Sequence, residues 1–302
     1  DVTPADLFSD HAVLQQGRPL PVWGTAAEGE TVSVEFAGQT ATTVAKDGRW
    51  QVRLAPVAAG GPYDLVLLTP KAYDLDSAIA AIAPAVGANT TVVPLLNGLR
   101  HLDVLDARFG KDKVVGGLAR VGVAMSTDGV IHHTSPFAAI AFGERGGKPA
   151  RKSLVELDAA VKKSGIDGGL SPNIVQDLWD KWIMLCSLAA TNCLMRGSSG
   201  DILEAAEGRA LVMETVDECQ KVAAAAGHDP GEKGMQTIRG FLTVKGSKFT
   251  ASMLHDLEAG NRLELDWLTG KVVELGKQTG VPTPAAEAVY AAVALHKMGK
   301  PK

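Results

Sequence analysis

Just after Tyr63 the chain changes the period of its apolar residues, and that change decides what it can fold into. Asp64–Thr69 reads D-L-V-L-L-T, a continuous apolar run of the kind that forms a strand buried on both faces. The spacing then predicts a helix over Asp74–Val86, a second buried strand at Thr91–Leu95, a helix at Leu99–Phe109 and a strand at Val114–Val123. Two further short strands are expected at Gly129–Thr134 and Ala138–Phe142. Strand and helix in alternation build a parallel α/β sheet. Beyond about Pro149 the pattern becomes wholly helical, with helices expected at Arg151–Ser164, Ile174–Met195, Gly200–Glu207, Arg209–Gly227, Lys233–Leu242, Ser252–Leu257, Arg262–Gly280 and Ala285–Met298. Pro230, Gly260 and Pro282–Pro284 separate the later ones.

Before the change the rhythm is of another kind. Short segments at Leu20–Trp23, Thr31–Phe36, Thr40–Ala45 and Trp50–Leu54 are divided by turn residues, and Asp47-Gly48 reads as a hairpin turn. Thr31–Phe36 alternates with period two, as a half-buried antiparallel strand does. These residues form a small β-sandwich-like piece and not a βαβ unit. A dinucleotide fold needs a glycine-rich turn after its first strand, usually G-x-G-x-x-G, so that backbone N–H groups reach the pyrophosphate. No two glycines of this chain stand in G-x-G spacing.

Bulk properties narrow the function. At 302 residues the chain can bury at least one sizeable core, and two domains are expected. Thirty basic against 34 acidic residues give a net charge of −4, without a basic run beyond the last few residues, which argues against a nucleic-acid partner. No apolar run is long enough to span a membrane. The chain opens on Asp1 without a signal-peptide pattern or an initiator Met, so upstream residues are expected to be missing. Cys186, Cys193 and Cys219 lack C-x-x-C spacing, and we read them as small core residues of a cytoplasmic protein. The pair His132-His133 points to opposite faces of a strand, so no metal site is expected there.

A few polar residues stand where chemistry is the simplest reason for them. Lys181 lies between Trp179 and Trp182 on the long apolar helix, where a solvated charge is out of place. Read locally, it is either a snorkelling side chain or a proton donor that stays charged at neutral pH. Lys71 and Asn97 follow two parallel strands, at the edge where open α/β sheets bind ligands. Asn97-Gly98 alone also reads as a turn. Glu264 is either a site carboxylate or an i,i+4 partner on a helix face. Ser252 suits the N-cap of the helix after it.

From Asp64 to about Leu295 the chain resembles the ketopantoate reductase (2-dehydropantoate 2-reductase) family. The resemblance is carried by Leu67-Leu68-Thr69-Pro70-Lys71-Ala72-Tyr73, Pro94-Leu95-Leu96-Asn97-Gly98, His133-Thr134-Ser135-Pro136 and Trp179-Asp180-Lys181. Ser252-Met253-Leu254-His255-Asp256, Glu264-Leu265-Asp266 and Gly280-Val281-Pro282-Thr283-Pro284 follow in order. It implies NADPH-dependent reduction of 2-dehydropantoate or a similar 2-keto acid, a step of pantothenate biosynthesis. It further implies Lys181 as the general acid, Glu264 and Ser252 as substrate ligands, and Lys71 and Asn97 beside the nicotinamide and its ribose. Asparagines of the family pattern on the lysine's helix are replaced by Leu185 and Ala189, which leaves Asn192 as the next amide for the substrate. Helical domains of this kind often pair, so a homodimer is expected.

The first sixty residues resemble the N-terminal β region of sialate O-acetylesterases, through Leu7–His11, Val13–Gln15, Pro21–Gly24, Phe36–Thr40, Asp47–Trp50 and Ala59–Tyr63. Ser9 and His11 are expected to be structural. The expected fold class is thus α/β, a partial Rossmann-like parallel sheet, followed by an all-α domain, with a β-sandwich-like segment in place of the first βαβ unit. The expected domains are residues 1–62, a partial dinucleotide-binding domain at 63–149 and an all-helical substrate and dimerisation domain at 150–302. Without the glycine turn, weak or absent cofactor binding is expected. The rival function is a non-catalytic chimera acting as a binding or structural module.

Overall fold

The computed structural model describes residues 2–4, 19–56, 64–126 and 130–297. It divides into two compact units, one of residues 1–63 with 82–88 and one of residues 64–81 with 89–302. The junction at Gly60–Tyr63, the motifs at Leu7–Gln15 and Ala59–Tyr63, and Gly129 fall outside the described residues.

In the first unit the described strands are β1 (Thr3–Pro4), β2 (Leu20–Thr25), β3 (Thr31–Phe36), β4 (Gln39–Val44) and β5 (Arg49–Leu54). They make two antiparallel sheets, β1-β2-β5 and β3-β4. Alternation puts Leu20 and Val22 of β2 on the same side as Trp50, Val52 and Leu54 of β5, and these close on Val32 of β3 in one core. The Trp50 indole donates to the Thr25 carbonyl at 3.1 Å, so its one polar atom is satisfied. Asp47-Gly48 does form a tight turn, with φ of 54° and 73°. Only the bridge Lys46–Arg49 follows it, because β4 and β5 then part into different sheets. The two-residue hairpin is instead closed by Ala37-Gly38, between β3 and β4.

The second unit opens with β6 (Leu65–Leu68) parallel to β7 (Thr91–Pro94), the latter buried throughout. Between them a 3-10 turn, Ala72–Asp74, leads into α1 (Leu75–Ile82). The helix expected to reach Val86 stops at Ile82, since Pro84 has no N–H to continue it and the chain tightens into a 3-10 turn at Ala83–Ala85. After α2 (Arg100–Phe109), Val114 bridges to Val92 in parallel and the chain enters β8 (Gly116–Met125).

β8 pairs antiparallel with β9 (Ile131–Gly143), one long strand where two short ones were expected. The strand survives Pro136 because the register shifts there, from Val121–Ala138 to Val123–His133. Ser135 replaces the lost ladder, its Oγ accepting the Gly122 N–H at 2.8 Å and donating to the Phe137 carbonyl. His132 and His133 on this strand are both exposed. After α3 (Lys152–Ser164) comes a strand that sequence patterning did not predict, β10 (Asp167–Leu170), parallel to β9. It reads D-G-G-L. Gly168, at φ +103°, brings the backbone so close to β9 that a Cβ would stand 2.0 Å from the Ile140 carbonyl oxygen.

The helices that follow are α4 (Ile174–Met195), α5 (Ser199–Glu204), α6 (Gly208–Ala225), α7 (Gly231–Leu242), α8 (Ser252–Ala259), α9 (Thr269–Thr279) and α10 (Pro284–Lys297). α4 is apolar on nearly every side and therefore lies inside, with Trp182, Ile183, Cys186 and Ala190 in the largest core. The cysteines are free and buried, and burial pushes the Cys219 and Cys193 thiols up to about 12. The helix expected from Arg262 begins only at Thr269. Arg262–Glu264 has no regular secondary structure and Leu265–Leu268 turns, because Leu263, Leu265 and Leu268 all reach the core from spacings one helical face cannot supply. Among the described residues, no helix is long and apolar enough to cross a membrane, and no group of three or more His, Cys, Asp or Glu could hold a metal ion.

Candidate active site

Four polar side chains from distant parts of the second unit converge at the carboxyl ends of β6 and β7. Lys181, on α4, donates from Nζ to Asn97 Oδ1 at 2.9 Å and to the Ala119 carbonyl on β8 at 2.7 Å. The Asn97 amide passes on to Glu264 Oε2 at 3.4 Å. Glu264 also accepts the backbone N–H of Ala72 at 3.0 Å, and the Lys71 ammonium lies 3.8 Å from Oε2. A lysine only donates and a carboxylate only accepts, so this pattern fixes which way the Asn97 amide faces.

Local sequence explains each position. Asn97 sits in the turn between β7 and α2, where Gly98 adopts φ +83° and leaves the Trp267 carbonyl room that a Cβ would crowd at 3.1 Å. That close approach carries the Glu264 loop against the Asn97 turn. Arg262 holds the loop from its other end, bonding to Asp74 Oδ1 and the Tyr73 carbonyl at 2.9 Å each.

Lys181 is 8% exposed and Glu264 is 3% exposed. Burial, and then the nearby Arg120 charge, lower the Lys181 pKa to about 8, partly opposed by Glu264. Lys71 behaves differently. Burial alone would lower its pKa, but a hydrogen bond to Asp256 Oδ2 at 3.0 Å and the Glu264 charge leave it raised. His101, buried on α2, is pushed down to about 3 by burial and by the positive charges of Lys181 and Arg145, so it is neutral.

The structure thus brings together Lys181, Asn97, Glu264 and Lys71, and adds Asp256, to which the sequence reading gave no role. Its spacing from Ser252, i to i+4 on α8, is the signal that could have found it. Ser252 is exposed at the first position of α8; the cap is Ala251, so the serine does not serve as the N-cap. Glu264 lies outside any helix, and an i,i+4 helical role for it is excluded. Asn192 stands apart from the cluster. Fully buried, it donates to the Gly197 carbonyl at 2.9 Å and accepts the Ala251 N–H at 2.8 Å, bracing the start of α8.

Parallel strands that end on this buried cluster, ahead of a helical half, define a Rossmann-like oxidoreductase. Two family models match the chain: Ketopantoate reductase PanE/ApbA over residues 13–147, and Ketopantoate reductase PanE/ApbA C terminal over residues 173–297. The chain belongs to the ketopantoate reductase PanE/ApbA family. It is 31% identical to an uncharacterized oxidoreductase of Bacillus subtilis, YkpB, across 83% of this chain and 82% of that protein. It is 29% identical to a 2-dehydropantoate 2-reductase of Mesorhizobium japonicum, over 80% of each. The crystal structure of 2-dehydropantoate 2-reductase from Methylococcus capsulatus superposes with a TM-score of 0.71 at 29% identity, covering 81% of this chain and 78% of that one.

Proposed function

We propose that this chain reduces a 2-keto acid, 2-dehydropantoate or a close analogue, to the 2-hydroxy acid at the expense of NADPH. The convergence of Lys181 and Glu264 on the two ends of one amide, Asn97, carries this reading. NADPH supplies the hydride that adds to the carbonyl carbon. Lys181 polarises the carbonyl oxygen and gives it a proton, so that keto acid, NADPH and one proton become hydroxy acid and NADP+. Glu264 accepts from a substrate hydroxyl, and Ser252, one turn before Asp256 on α8, meets the substrate at the open side.

The residues fit the nicotinamide end of the cofactor better than its phosphates. Lys71 and Asn97 follow the carboxyl ends of two parallel strands, the edge at which such sheets take ligands. A phosphate would want the free N–H groups at a helix N-terminus. Here the Ala72 N–H, which opens the turn into α1, is already donated to Glu264. With no G-x-G spacing anywhere, we propose that the dinucleotide is held weakly and by its nicotinamide half.

The experiment is a titration of NADPH followed by fluorescence, then addition of 2-dehydropantoate with absorbance followed. Turnover that falls roughly 10²–10⁴-fold in Lys181→Ala supports the assignment. No binding at millimolar NADPH overturns it and supports a binding or structural module instead.

A further inference from the structure

We propose that Arg120 holds the carboxylate of the 2-keto acid, beside the ammonium that protonates its carbonyl; this rests on the function proposed above. Residues two apart on a strand share a face. Leu118 of β8 packs on Ile174 and Leu178 of α4, so Arg120 is directed at the same helix farther along. Three residues beyond Leu178 stands Lys181, and the residue between Leu118 and Arg120, Ala119, gives its carbonyl to the Lys181 ammonium at 2.7 Å.

The guanidinium is near enough for its charge to be felt at Asp180 as well as at Lys181. It is not tied to Asp180, whose carboxylate takes its bond from Gln176 at 2.8 Å. Arg145 and Arg151 each grip a carboxylate. Arg120 pairs with Ala139 through its backbone, but among the described residues no hydrogen bond or ion pair engages its guanidinium, and the residue is exposed. An unengaged cation next to a second one is a poor arrangement by itself. It is a good one for a ligand that carries negative charge.

A 2-keto acid matches that demand. Its carboxylate is one carbon–carbon bond from the carbonyl carbon, so a carbonyl oxygen at Lys181 places the carboxylate close by. A guanidinium receives a carboxylate through two parallel N–H bonds, which also fixes its plane. Arg120 would therefore select acids over uncharged ketones and orient them for proton transfer.

The test compares 2-dehydropantoate with its uncharged amide, at saturating NADPH, in the wild type, Arg120→Gln and Arg120→Lys. The readout is the preference for acid over amide in kcat/KM, which general damage to the fold would not move. We expect the preference to fall on the order of 10–100-fold in Arg120→Gln, chiefly through KM, and to be partly restored in Arg120→Lys. An unchanged preference overturns the proposal. Should the wild type turn over neither compound, the proposed function fails. Calorimetry with oxamate then still decides the role of Arg120, since equal affinity for wild type and Arg120→Gln would rule it out and weakened binding would support it.

Discussion

Lys181 keeps its proton on terms set by its neighbours. Burial favours the neutral amine, Arg120 adds to that through like charge, and Glu264 works against both, with a result of about 8. A donor must be protonated to act, so the reduction rate is expected to hold below that pH and to fall as pH rises through it. Removing the Arg120 charge takes away one lowering cause and leaves the larger, burial. In Arg120→Gln the falling limb should therefore move to higher pH, while staying below the ordinary lysine value near 10.5. A pH profile of kcat/KM checks this, and a limb that stays put would show that Arg120 does not act on Lys181. Read locally, the lysine was as open to a snorkelling role as to a chemical one; the resemblance singled it out, and the fold buries it against Asn97 and the Ala119 carbonyl. Asp256 carried only a weak local signal, its i to i+4 spacing from Ser252, which an ordinary carboxylate on an amphipathic helix can share; the fold singles it out by bringing Lys71 onto it.

At the scale of elements, agreement followed how far local pattern decided the outcome. α4 and β3 span the residues that periodicity assigned them, because one is apolar along nearly its whole length and the other alternates strictly. β10 escaped notice because D-G-G-L has neither strand propensity nor alternation, and its conformation comes from docking on β9 and from Asp158, whose carboxylate accepts the Leu170 N–H at 2.9 Å. The Glu264 loop was misread as helix for a related reason: its leucines obey the core they enter, not a local period. Asn192 is the sharpest case. Sequence reading placed it against the substrate, whereas its amide joins α4 to the start of α8. Asn192→Leu conserves volume but leaves a buried N–H and a carbonyl unpaired, at a cost of about 2–4 kcal/mol. We expect a lower urea midpoint, together with a raised KM for the keto acid, because Ser252 and Asp256 ride on α8. An unchanged midpoint would argue against the bracing role.

For the whole molecule, the question is how a Rossmann-like oxidoreductase whose sequence carries no G-x-G spacing would hold a dinucleotide. The change of rhythm after Tyr63 was visible in the sequence, and the described residues before it form only strands and turns. Binding energy for a dinucleotide normally comes from both halves, with the pyrophosphate seated on backbone N–H groups at a helix N-terminus. In the function proposed above, this chain offers Lys71 and Asn97 to the nicotinamide half. It has no G-x-G spacing for the other, and its Ala72 N–H is already engaged by Glu264. If the adenosine and pyrophosphate contribute little, a shortened cofactor loses little by lacking them. Reduced nicotinamide mononucleotide should then bind within about tenfold of NADPH, a difference of about 1.4 kcal/mol. For the same reason NADH should bind about as well as NADPH. Competition titrations monitored by cofactor fluorescence measure both ratios directly. A preference for NADPH over the mononucleotide of several hundredfold would mean that the chain does build a phosphate site, and that residues other than a glycine-rich turn supply it.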